Sequence, residues 1–153
     1  GNITAYWMGY QEYDRGLPRL LGGQAAGSAP IVEGKVIERP ETVATAIRIG
    51  NPARWREALA ALDESGGIVT AVSDDDILAS WHLLAKREGV FVEPASATGV
   101  AALRQQIAQG EIDAAGKTAV CVLTGHGLKD PDTAVAQAAP PHTLPAAVDA
   151  LEA

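Results

Sequence analysis

Short apolar runs, set between stretches of helical period, constrain this chain more than any other feature. Ile68–Val72 is a compact β-branched run, which suits a half-buried pleated surface. Residues 118–124 form a second, clearer run, whose most apolar part (119–123) reads as a buried internal strand with a glycine-rich exit at Gly125-His126-Gly127. A shorter strand is expected at residues 20–24, followed by a tight turn of very small residues, Ala25-Ala26-Gly27-Ser28, and a loop over 33–40. Helical spacing predicts helices over residues 3–13, 41–49, 54–64, 77–86 and 97–109. Alternation of this kind points to an α/β fold with a layered, mostly parallel sheet.

The breakers and faces refine this picture. Gly16 ends the first helix, in which Tyr6 and Tyr10 lie four apart and Ile3 shares a side with Trp7. Val43, Ala46, Ile47 and Gly50 line the 41–49 segment, and Trp55, Leu59 and Leu62 form the inner face of the next. Ser73, with Asp76 three residues on, resembles a capping box, and Gly89 closes the helix that buries Ile77, Trp81, Leu84 and Ala85. Val90-Phe91-Val92 starts a short buried segment, and Glu93-Pro94-Ala95-Ser96 leads into a helix with Val100, Leu103 and Ile107 at helical spacing. Asp74, Asp75 and Asp76 read as a solvated helix N-terminus rather than as a metal site. Beyond Asp132 the sequence turns to Ala and Pro, which marks a surface tail with one short helix.

Composition narrows the function classes. The 153 residues are 47% hydrophobic, enough for one packed core. A net charge of −7 argues against a nucleic-acid surface but leaves room for a small anion held by a few local donors. No apolar run is long enough for a membrane span, and no export signal is visible. The single cysteine, Cys121, reads as a small buried side chain, which favours a reducing, cytoplasmic setting. Two places attract attention as ligand sites. Gly1-Asn2 before a helix suits either a phosphate cradle or, more simply, an ordinary turn; His126 between glycines suits either a titrating group beyond a strand end or a plain loop histidine.

Several longer segments carry more information. Gly1-Asn2-Ile3-Thr4-Ala5-Tyr6-Trp7, Gln24-Ala25-Ala26-Gly27, the stretch from Pro40 through Ala44-Thr45-Ala46-Ile47-Arg48-Ile49-Gly50-Asn51-Pro52, Glu88-Gly89-Val90-Phe91-Val92-Glu93-Pro94-Ala95-Ser96-Ala97, and Leu123-Thr124-Gly125-His126-Gly127-Leu128-Lys129-Asp130-Pro131 closely resemble the threonine synthase family. The likeness runs over residues 1–134, and 135–153 form a less distinctive tail.

This resemblance implies a fold-type-II pyridoxal-phosphate enzyme of the tryptophan synthase β-like kind. It further implies conversion of O-phospho-L-homoserine and water to L-threonine and phosphate, in a homodimer when full length. On the same basis Gly1 and Asn2 match the end of the phosphate-cradling loop, Ala25 and Ala26 the small residues beside the cofactor ring, and Thr124 the hydroxyl facing the pyridine nitrogen. Glu93 and Ser96 fall in the turn near that nitrogen, without an expected direct contact.

The family's cofactor-bearing lysine lies in a Ser-Phe-Lys-Asp-Arg-like segment, and Lys35, Lys86, Lys117 and Lys129 are not in such a context. The chain is therefore expected to be the C-terminal part of the enzyme, inactive alone, with no catalytic residue and no metal ligand of its own. Other readings are a different type-II enzyme, such as a threonine dehydratase or a cysteine synthase relative, and an inert remnant kept for assembly or regulation.

Overall fold

The computed structural model describes residues 2–147; Gly1 and residues 148–153 lie outside the described part. Two strands, β1 (Leu21–Ala25) and β2 (Ile68–Val72), pair in parallel with Leu21 opposite Ile68 and Ala25 opposite Val72. A parallel pair requires a long crossover. Here it runs through the short helix α2 (Pro30–Glu33), an irregular stretch with a 3-10 turn at Thr45–Ile47, and helix α3 (Trp55–Glu64). Helix α1 (Asn2–Tyr13) packs on α3, where the Trp7 indole donates to Glu64 Oε2 at 2.6 Å. After β2 come α4 (Asp74–Glu88) and α5 (Pro94–Ala108), which pack on each other, with α5 covering both strands. The α/β fold with a parallel sheet is thus the observed architecture.

Small side chains let α5 lie close to the sheet. A Cβ on Gly23 would stand 2.8 Å from the Thr98 carbonyl oxygen, so β1 can approach α5 this closely only with glycine there. Ala25, Ala44, Val72, Ile77, Ala101 and Ala102 form one buried cluster. Trp81, Leu84, Val92 and Ala97 form a second, with Leu123 and Ala134 packed against it. Helix α4 ends as its sequence predicts: Ser73 Oγ accepts from Asp76 N at 3.1 Å, and Gly89 adopts the left-handed conformation of a C-cap. The box is not reciprocal, because the Asp76 carboxylate instead accepts the Ser73 hydroxyl at 2.7 Å.

The structure corrects several expectations. Residues 41–49 form no helix beyond the 3-10 turn, because side chains compete for the backbone there: Thr42 Oγ1 accepts from Ala44 N at 3.1 Å. The inner face of α3 is Ala58, Ala61 and Leu62, whereas Leu59 is exposed and Trp55 half-buried. Ala85 is exposed, and α5 buries Ala97, Ala101 and Ala102 rather than Ile107. Residues 118–124 form no strand. Val120 is 78% and Val122 53% exposed, and among the described residues the nearest pairing is one antiparallel bridge between Val92 and His126. Strand composition cannot substitute for a neighbouring strand about 4.8 Å away. Cys121, on that run, is accordingly exposed rather than buried. The last described helix is α6 (Pro131–Gln137).

Candidate functional site

The turn that opens α5 and the loop that follows residue 123 are held together by hydrogen bonds that converge on one residue. Gly125 N donates to Ser96 Oγ at 2.7 Å, and Gly125 O accepts from Glu93 N at 3.0 Å. Gly125 is therefore gripped from both sides. A Cβ there would lie 1.8 Å from Glu93 Oε1, so any larger residue would displace the buried Glu93 side chain. The grip delivers the preceding residue: Thr124 Oγ1 lies 3.2 Å from Ser96 Oγ, with Thr124 exposed and Ser96 buried. The Glu93 side chain is buried as well and caps no helix N–H.

The loop is fixed further along. Gly127 N donates to Phe91 O at 3.1 Å, and His126 sits edge-on to the Phe91 ring. The exposed His126 spends Nδ1 as acceptor for Leu128 N at 3.1 Å, which leaves Nε2 as its outward-facing nitrogen. Asp130, buried at the N-cap of α6, accepts from Thr45 Oγ1 at 2.9 Å and from Thr133 Oγ1 at 3.0 Å. A second tie holds the same crossover segment, because Asp74 accepts from the Thr42 hydroxyl at 2.5 Å and from Val43 N at 3.0 Å. The 42–45 segment is thus fastened to the start of α4 at one end and to the glycine loop at the other.

Of the residues singled out from sequence, Thr124 is brought into direct contact with Ser96 and Gly125. Asn2 is exposed in the first turn of α1, and Ala26 is exposed in the turn after β1. Ala25 is completely buried, its methyl committed to the core. Gly1 lies outside the described residues. Lys35 is ion-paired with Glu33 at 3.0 Å, and Lys86, Lys117 and Lys129 are exposed. Sequence reasoning missed the anchors Asp74 and Asp130. The Asp130-Pro131 pair carried a helix-start signal; Asp74 carried nothing to separate it from Asp75 and Asp76. Among the described residues no three His, Cys, Asp or Glu side chains converge on a cation position.

The chain is 58% identical over 139 residues to threonine synthase of Halalkalibacterium halodurans, covering 88% of this chain and 39% of that protein. It is 54% identical over 157 residues to threonine synthase of Mycobacterium leprae, covering 99% and 42%. The chain thus spans about two fifths of the length of these relatives. Among solved structures, the fold resembles an L-serine ammonia-lyase from Rhizomucor miehei (TM-score 0.61, 18% identity, 86% of this chain and 45% of that one). It also resembles a threonine deaminase from T.th. (TM-score 0.54, 19% identity, 70% and 40%). These likenesses support the fold-type-II architecture. The family model described as pyridoxal-phosphate dependent enzyme matches residues 1–125, and the chain belongs to that family.

Proposed function

We propose that this chain forms the C-terminal, cofactor-side part of a threonine synthase that converts O-phospho-L-homoserine and water to L-threonine and phosphate. The observation that carries the placement is the Thr124 hydroxyl: exposed, at the end of a gripped loop, and mounted on Ser96 and Gly125. The choice of reaction follows the threonine synthase relatives.

The residues present fit pyridoxal 5'-phosphate. Thr124 offers a neutral hydroxyl to the pyridine nitrogen, Ala26 presents only a methyl beside the ring, and Asn2, in the first turn of α1, stands where a phosphate would meet that helix's N-terminus, with Gly1 assigned to the same phosphate from the family resemblance alone. Ala25, with its methyl in the core, serves by supporting the turn from below rather than by touching the ring. When bound, the cofactor supplies the electron sink for proton removal next to the substrate amino group. A neutral hydroxyl at the ring nitrogen restrains that sink, where an aspartate would deepen it. The lysine that carries the cofactor comes from the remainder of the enzyme. We place the full-length protein in the cytoplasm as a homodimer. Among the described residues no helix is long and apolar enough to cross a membrane.

Thr124→Val in the full-length enzyme tests this. The substitution keeps the β-branched shape and removes the hydroxyl. Leaving an acceptor unsatisfied costs about 1–3 kcal/mol, and each ~1.4 kcal/mol is tenfold in rate, so kcat/KM should fall about tenfold or more. The isolated chain, given cofactor and O-phosphohomoserine, should release no phosphate. Unchanged kcat/KM in the Val variant removes Thr124 from the site. Turnover by the isolated chain overturns the assignment of the lysine to the remainder.

A further inference from the structure

We propose that Ser96 is a positioning residue that fixes the direction of the Thr124 hydroxyl hydrogen, so that Thr124 donates outward to an unprotonated ring nitrogen. The inference rests on the placement of the cofactor just given.

Distance alone leaves the Ser96–Thr124 contact undirected, since either oxygen at 3.2 Å could donate. The surroundings direct it. Ser96 Oγ already accepts the Gly125 N–H at 2.7 Å, and Ser96 is only 4% exposed. Among the described residues its hydroxyl hydrogen has one available acceptor, Thr124 Oγ1. Were Thr124 to donate inward, the Ser96 hydrogen would be buried without a partner, which is unfavourable. Thr124 is exposed, so its own hydrogen can point away at no such cost. The chain Gly125 N–H to Ser96 to Thr124 therefore runs one way and ends in an outward donor. The outward hydrogen can meet a nitrogen with a free lone pair, whereas Thr124 Oγ1, already accepting from Ser96, keeps a single lone pair with which to meet a protonated one.

The test is a double-mutant cycle on the full-length enzyme that carries this chain, read by affinity for pyridoxal phosphate and by the 15N shift of ring-labelled cofactor. The parent should bind with its ring nitrogen unprotonated. Ser96→Ala should weaken binding about threefold to tenfold, the range of one neutral hydrogen bond, and Ser96→Thr should restore most of it. Made on top of Thr124→Val, Ser96→Ala should weaken binding clearly less than it does in the parent, because Ser96 then has no hydroxyl to orient and only its bond from Gly125 N is lost.

If Ser96→Ala weakens binding equally with and without Thr124→Val, Ser96 is merely structural and the inference is overturned. A protonated ring nitrogen in the parent overturns it too. If the parent does not bind the cofactor at all, the proposed function falls, and this inference falls with it.

Discussion

Removing the Asp74 carboxylate is the most informative perturbation of the scaffold, because three adjacent aspartates provide their own control. Asp74 accepts two hydrogen bonds from the crossover segment, at 2.5 Å from Thr42 and 3.0 Å from Val43. The carboxylate of the exposed Asp75 makes no hydrogen bond or ion pair among the described residues. Both lie in the first turn of α4, so both lose the same interaction with the helix dipole, about 0.3–1 kcal/mol, when changed to alanine. Asp74→Ala loses more, since hydrogen bonds to a charged group contribute about 1.5–3 kcal/mol each when buried. Asp74 is only half-buried, so solvent screening reduces these bonds below that range and we expect about 2–3 kcal/mol in total. For a domain of this size that lowers Tm by about 5–10 °C, against no more than about 3 °C for Asp75→Ala. Thermal unfolding followed by circular dichroism at low and at 1 M salt reads both. The Asp75 effect should fade with salt while most of the Asp74 effect persists. Equal shifts for the two variants at 1 M salt would refute the tie between α4 and the crossover.

Two further predictions concern glycines and the thiol. Gly50→Ala places a Cβ 1.8 Å from the Ile37 carbonyl oxygen and should cost at least about 3 kcal/mol, whereas Gly99→Ala, with nothing within 4 Å on α5, should stabilise by about 0.5–1 kcal/mol in urea titrations. Desolvation pushes the Cys121 thiol up from its ordinary value even though the residue is exposed. A raised pKa leaves less thiolate at a given pH, so iodoacetamide labelling near pH 7.5 should be slower than for a free cysteine, with the gap closing as the pH is raised; labelling at the free-thiol rate at pH 7.5 would contradict the shift.

What could be read from the sequence followed from how local the determining forces are. Ile68–Val72 was legible residue for residue, because β-branching and the flanking breakers are local signals. The ends of α4 were legible for the same reason, with Ser73 and Gly89 acting within a turn of their own positions. Residues 41–49 were not. Their helical spacing is real, but Thr42 and Thr45 bond to Asp74 and Asp130, partners 32 and 85 positions away that no local pattern reveals. The α3 face was misjudged because the larger Leu59 looked more apolar than Ala58, while packing buried the smaller residue. Thr124 was named through resemblance rather than periodicity. Ser96 was noticed without a contact, and the hydrogen bond appears only once the two segments, 28 positions apart, meet.

The exposed run at 118–124 has a consequence for handling the protein. Its seven residues contain no charge and no proline, and β-formers alternate along it. That is the composition of a segment able to template pairing between molecules. With Val120 and Val122 exposed and no strand alongside among the described residues, the backbone groups of this run are open to pairing with a second molecule. Association along this run would grow with protein concentration. A lysine placed at Val120 or Val122 would interrupt it without touching the Ser96–Thr124 contact.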